Sequence, residues 1–213
     1  MTSEPTTGRR RLRRDALANQ ERVLAAAVTT MLRHGRQVPM ASIAAEAGVG
    51  VGTLYRRYAT REALLDALTE RSFRLVLAAA QDATERGDSG LDAIGRFLDL
   101  TIDHRAELVL PLHSGPGDLP PVTAAVRAEL HRTLALLLAT GRSDHSIRDD
   151  VTTGDVVIFG AMLAQPLTPA WTRLARRQKS LFLRGLAPVV ADPRGSFYVE
   201  RTISSASGAG STP

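Results

Sequence analysis

The stretch AGVGVGTLYRRY, residues 47–58, sets three alternating glycines ahead of a short basic and aromatic run. Two readings of those glycines compete. A dinucleotide-binding turn needs G-x-G-x-x-G after a strand, so that backbone N–H groups and a helix N-terminus meet the pyrophosphate. Here the spacing is G-x-G-x-G, and the preceding Met40–Ala47 carries the apolar spacing of a short helix through Ile43, Ala44 and Ala47. No phosphate-loop Lys followed by Ser or Thr is present. The other reading is helix, tight turn, helix, with Gly48 in the left-handed conformation that ends the first helix of the pair.

The helix that follows, about Val51 to Tyr58, agrees with the second reading. With Leu54 and Tyr58 set inward one turn apart, Gly52, Thr53 and Arg56 fall on the outer face, flanked by Tyr55 and Arg57. Such a face suits a DNA groove: Arg can pair bidentately with guanine, hydroxyls reach phosphates or base edges, and a glycine removes bulk at the closest approach. An ordinary amphipathic helix with a solvated Arg–Arg pair is the plainer alternative. Upstream, Asn19 to His34 places Val23, Ala27, Thr30 and Met31 on one stripe and stops at Gly35. Downstream, Thr60 is placed to cap a long helix, with Glu62 in its first turn and Leu64, Leu65, Leu68, Leu75 and Val76 along it.

Charge favours a polyanion as partner. The 213-residue chain has net charge +5, but residues 1–62 hold eleven arginines against five acids, net +6, while residues 63–213 hold sixteen basic residues against seventeen acids, net −1. A basic head on a nearly neutral body points to nucleic acid or an anionic surface. The run RRRLRR, 9–14, lacks the apolar stripe of an interfacial helix and is expected to be a disordered basic arm, residues 1–15, that lies along DNA. With no cysteine, disulfides and thiolate chemistry are excluded. No stretch reaches the length of a membrane span, so a cytoplasmic protein without a membrane partner is expected.

Beyond ERGDSG, 85–90, the helices become longer and more apolar, and nothing alternates with period two, so the whole chain reads as all-α. Leu91, Ile94, Phe97, Leu98 and Ile102 form one stripe; Val122, Val126, Leu130, Leu134 and Leu137 form another, between the breaker run SGPGDLPP, 114–121, and the polar turn GRSDHSIRDD, 141–150. Two last helices are expected at 152–165 and 170–190. The first, DVVIFGAMLAQ, is apolar nearly all round, with Gly154 and Gly160 permitting close approach; the second carries Trp171, Leu174, Leu181, Leu186 and Val189 on one stripe. A helix buried on all sides needs partners on all sides. The tail, 201–213, lacks the apolar content to fold. The spacing of His104, His113, His131 and His145 matches no metal motif, so neither metal nor cofactor is expected, and no hydrolase or zinc-protease signature points to an enzyme.

The segment IAAEAGVGVGTLYRRYATREALLDAL, 43–68, resembles the signature of the TetR family of bacterial transcriptional regulators almost position for position, and RRDALANQERVLAAA, 13–27, is similar to the lead-in helix of one of its branches. RDDVTTGDV, 148–156, is similar to the start of the penultimate helix. The resemblance implies a helix-turn-helix head over 16–62 and a helical ligand-binding and dimerisation body over 63–200. It implies DNA contacts from Tyr55, Thr53 and Arg57, from Arg61 at the start of the fourth helix, and from Ser42 in the helix crossing the backbone; Gly52, Arg56 and Arg13 of the arm join them from the reading of charge and face above. Gly50, Val51 and Met40 stand where the family more often has Ser, a polar residue and a Thr or Ser cap.

The same resemblance implies a homodimer through the last two helices, about 152–190, and an effector pocket among the middle helices with Phe97, His104, His113 and Phe159 as candidate lining. The expected function is therefore a regulator, in the first instance a repressor released from a palindromic double-stranded DNA operator by a small-molecule effector. A nonspecific nucleic-acid-binding protein, and behind it a helical enzyme, are the alternatives.

Overall fold

The computed structural model describes residues 6–85, 89–108, 119–164 and 171–188, and among these it is helical throughout. Eight α-helices follow one another: α1 Thr6–His34, α2 Met40–Glu46, α3 Val51–Arg57, α4 Arg61–Thr84, α5 Gly90–Asp103, α6 Pro121–Ser143, α7 Thr153–Leu163 and α8 Trp171–Leu186, with a single 3₁₀ turn at Arg105–Glu107. The helix ends obey local rules. Gly35 and Gly48 both have positive φ, +85° and +65°, just past α1 and α2, where a Cβ would be strained. The Thr60 hydroxyl accepts from the Ala63 N–H, 3.1 Å, and opens α4. Thr152 and Asp155 make a reciprocal capping box at the start of α7, and Pro121 stands in the first turn of α6.

Two cores result. The head core joins Val23, Leu24, Ala27, Val28 and Met31 of α1 to Ile43 and Ala44 of α2, Leu54 of α3, and Tyr58, Leu64 and Leu68. Burial pushes the Tyr58 phenol above its ordinary value, as befits a core ring. The body core is larger and is built from α4 to α8 around Ile94, Leu98, Ile102, Leu134, Leu138 and Val156. Helices α5 and α6 approach closely where Gly90 meets the backbone of Gly141. The α5 N-terminus is held there: the Gly90 N–H donates to Asp144 Oδ2, 2.8 Å, and the Leu91 N–H to Ser146 Oγ, 3.1 Å.

Three expectations change. Residues 6–15, expected in a disordered arm, belong to α1, because arginine is a good helix former and the segment continues a nucleated helix without a proline. Residues 141–143, read as part of a turn, continue α6, and Gly141 is buried where a larger residue would strike Ile147. The boundary between head and body, expected at 62/63, falls inside α4. Helix α4 enters both cores, through Leu64 and Leu68 in the head and Val76, Ala80 and Ala83 in the body. The expected tail, 201–213, lies outside the described residues.

Candidate nucleic-acid interface and ligand cavity

The turn from α2 to α3 is closed by its own backbone. The Gly48 N–H donates to the Ala45 carbonyl, 3.1 Å, and the Val49 N–H to Ala44, 3.0 Å, while Gly50 is extended and precedes α3. Leu54 locks α3 into the head core, so the opposite side of the helix faces outward. Gly52, Tyr55, Arg56 and Arg57 are exposed there and Thr53 is half-buried. The Arg56 guanidinium donates to Thr53 Oγ1, 3.0 Å, one turn back, which holds both groups on the outer face. No atom within 4 Å would meet a Cβ on Gly52.

Head and body meet at Arg71 of α4. Its side chain is 13% exposed; Nε is 2.9 Å from Glu21 Oε2 of α1, and Nη2 is 3.1 Å from Glu107 Oε2 of the 3₁₀ turn. Nη1 also donates to the Glu107 carbonyl, 3.1 Å. The other Glu107 oxygen meets His104 Nδ1 at 3.0 Å. This hydrogen bond from His104, and after it those from Arg71, holds the Glu107 carboxyl below its ordinary value.

Further along α4 the body contains a cavity of about 410 Å³ between α4, α5, α6 and α7. Phe73, Val76, Phe97, Thr101 and Leu130 line it, and Val157, Ile158 and residues 160–162 of α7 form its remaining wall. Among the described residues no charged side chain lines it. Thr101 Oγ1 donates to the Phe97 carbonyl, 2.8 Å, so even this hydroxyl is satisfied within its own helix. A site of this size and character accepts a small apolar molecule.

Residues 23–68 match the model of the bacterial regulatory proteins of the tetR family. That segment begins at Val23 and ends at Leu68, both buried in the head core. A TetR transcription regulatory protein from Mycobacterium vanbaalenii is 30% identical over 83% of this chain and 99% of its own, with a TM-score of 0.58. The chain belongs to the TetR family. The TetR-family regulator SCO0520 from Streptomyces coelicolor is 27% identical over 79% of this chain and 98% of its own, TM-score 0.58. A tetR-family regulatory protein from Rhodococcus RHA1, 20% identical over 79% and 97%, TM-score 0.61, shares the fold. No curated protein matches the sequence. As a TetR-family member the chain is a DNA-binding transcriptional regulator.

Within this TetR fold the expected DNA-binding residues separate into two sets. Ser42, Gly52, Tyr55 and Arg56 are exposed on α2 and α3, with Thr53 beside them. Arg57 is exposed but turned toward α1, where its guanidinium meets the Gln20 side chain. Arg61 donates to the Arg36 carbonyl, 2.8 Å, and to that of Val38, and so fastens the α1–α2 connection to the start of α4. Arg13 lies on α1, and its side chain is outside the described residues.

The expected effector residues separate likewise. Phe97 lines the cavity. Phe159 instead stacks on Phe182 of α8, ring centroids 3.9 Å apart, because it points along the α7–α8 contact. His104 caps α5 and pairs with Glu107, and is not in the lining. His113 lies outside the described residues. Gly160, expected to let another chain approach, faces Leu98 and Phe97 within its own chain. Phe73, Thr101 and the Arg71 joint were not legible in the sequence. Phe73 lies three residues before Val76 and Thr101 four after Phe97, spacings that would have placed both on inward stripes; nothing local marks the Arg71 joint.

Among the described residues no group of His, Asp or Glu could hold a metal ion, and no helix is long and apolar enough to cross a membrane.

Proposed function

We propose that this TetR-family regulator is a homodimeric repressor that acts in the cytoplasm and leaves a palindromic operator when a small apolar molecule fills the body cavity. The observation that carries the reading is the outer face of α3, where Gly52, Tyr55 and Arg56 stand clear of the head core on a helix held from behind by Leu54. A face of this kind enters the major groove, with Arg56 reading guanine and Tyr55 bonding to phosphate or a base edge. A single short helix reads too few base pairs to define a genomic site, which favours two copies on an inverted repeat. Helix α7 is apolar and still exposes Ile158 and Met162, which favours α7 and α8 as the surface that joins the copies.

The cavity supplies a place for an effector, and Arg71 a route to the head. Phe97 and Thr101 of the cavity wall lie on α5, and the chain leaving α5 forms the turn that holds Glu107 against Arg71. An effector that favours one placement of α5 then biases the head, and DNA must weaken effector binding by the same factor. TetR-family regulators are generally not enzymes, and the regulator reading needs no catalytic group.

Selection from a randomised duplex library at near-physiological salt, with wild type beside Arg56→Ala and Tyr55→Phe, tests the reading. Enrichment of an inverted repeat by wild type, with one position per half-site relaxed in Arg56→Ala, is the expected result. Salt-dependent binding with no enriched sequence would leave a nonspecific nucleic-acid binder.

A further inference from the structure

Among the described residues, the wall of the body cavity holds hydrogen-bond acceptors and no free donor. Every lining residue lies beyond the first turn of its helix: Phe73 and Val76 in α4, Phe97 and Thr101 in α5, Leu130 in α6, and Val157 onward in α7. Their backbone N–H groups are therefore spent on carbonyls four residues back. Thr101 carries the single side-chain oxygen or nitrogen of that lining. A hydroxyl has one proton and two lone pairs, and the Thr101 proton already goes to the Phe97 carbonyl, 2.8 Å away. The lone pairs remain: among the described residues no group donates to this oxygen, and its side chain is 2% exposed.

A molecule that enters such a cavity sheds its water and has to replace those hydrogen bonds from the wall. A ketone or ester oxygen only accepts, so it finds no partner there, and an unpaired buried carbonyl lowers affinity about tenfold or more. A carboxylate fares worse, because no cation lines the cavity, and an ammonium meets no anion. A hydroxyl proton, by contrast, meets the free lone pairs of Thr101 Oγ1.

From this we infer that the effector is a neutral, largely apolar molecule with a hydroxyl group, an alcohol or a phenol, and that Thr101 Oγ1 is the atom that selects it by accepting its proton. The inference rests on the ligand reading above and adds the chemistry of the ligand's polar group. Selection of this kind is sharp because a wall that lacks donors leaves the wrong polar group unpaired. Thr101 also ties the ligand to α5, from which the chain runs into the turn that holds Glu107 against Arg71.

The test is displacement of N-phenyl-1-naphthylamine, a neutral fluorophore that brightens in apolar surroundings, by 9-fluorenol, 9-fluorenone and fluorene-9-carboxylic acid, which share one skeleton and differ in the polar group. Wild type is compared with Thr101→Val, which keeps the shape but puts a methyl group in place of the oxygen, and with Thr101→Ser, which keeps the oxygen. Helix content from circular dichroism checks that both variants fold. Each competitor sheds the same water whichever protein it enters, so the change in the alcohol-to-ketone affinity ratio isolates the hydrogen bond. The expected result is a preference for the alcohol in wild type that falls about tenfold in Thr101→Val, through weaker alcohol binding, and survives in Thr101→Ser, while the acid fails to displace the fluorophore. A ratio that Thr101→Val leaves unchanged would put the polar group away from Thr101 and overturn the inference while the ligand reading stands. An acid that competes as well as the alcohol overturns it too. A wild type that binds neither fluorophore nor alcohol removes the ligand reading itself.

Discussion

The head and the body of this regulator are both helical, yet they are built on opposite plans. The head is a small core with a functional outside. Short helices α2 and α3 are fixed by Ile43, Ala44 and Leu54, and what matters for DNA is what those anchors leave facing outward. The body is a large core with a functional inside. Its helices are longer, two of them touch through glycine backbones, and what matters is the 410 Å³ that Phe73, Phe97 and Leu130 leave unfilled. On the proposed function, side chains that meet DNA are therefore separable from stability, whereas those around a ligand are not. Changes of a single methyl group at matched positions in the two regions put that contrast under test.

The largest effect belongs to the body. A Cβ on Gly90 would lie 2.8 Å from the Leu137 carbonyl oxygen and closer still to the backbone of Gly141, and backbone cannot swing aside as a side chain can. Gly90→Ala therefore has to separate α5 from α6, and should lower stability by about 3 kcal/mol or more, the upper end of overpacking. Urea unfolding followed by circular dichroism measures the change. A loss below about 1 kcal/mol would mean that this crossing is looser than its distances imply.

An intermediate effect is expected at the joint. Arg71 is nearly buried while its partners Glu21 and Glu107 are roughly half exposed, so the carboxylates can be rehydrated when the guanidinium is removed. Arg71→Ala should cost about 1–2 kcal/mol, less than a fully buried pair would. The joint also predicts a pH dependence. Glu107 has its folded value depressed, first by the hydrogen bond from His104 and then by Arg71, so its contribution is present above the ordinary carboxylate value and is lost as pH falls through the folded one. Acidification below about pH 4.5 should therefore reduce the stability of wild type more than that of Glu107→Gln. Equal acid sensitivity of the two proteins would show that the carboxylate is not held by this joint.

How far each region could be read from the sequence follows from the same contrast. The Gly48 turn, the Thr60 cap and the inward pair of Leu54 and Tyr58 are local, decided within four or five residues, and periodicity finds them. The Arg71 joint spans fifty residues to Glu21 and thirty-six to Glu107, and no spacing rule connects them. The cavity is a property of four helices meeting, so the stripe placed Phe97 inward while only the family resemblance made it and Phe159 candidate lining; Phe97 is a wall and Phe159 stacks on α8 instead. Charge is read less directly. The RRRLRR run reads as part of a disordered basic arm that lies along DNA, yet residues 6–15 extend α1, which arginine favours. Arg57 and Arg61 are DNA contacts by the family resemblance alone, and no spacing rule shows that their donors also meet Gln20 and loop carbonyls.

The smallest effect on stability, and the sharpest contrast with Gly90, is expected at Gly52. The same substitution to alanine there meets nothing within 4 Å, and the backbone is helical with no positive φ to relieve. Alanine is the better helix former by about 1 kcal/mol, so Gly52→Ala should leave the protein as stable as wild type or up to that much more stable. Its methyl group, however, stands on the face that carries Arg56 and Tyr55, where a helix in the groove comes closest to the bases. Binding to the selected operator should weaken while unfolding in urea is unchanged or shifts upward. Both measurements are needed, because the outcome that breaks the comparison is a joint one. A less stable Gly52→Ala would mean that the outer face of α3 is packed against something, and unchanged operator affinity would mean that this face does not meet DNA.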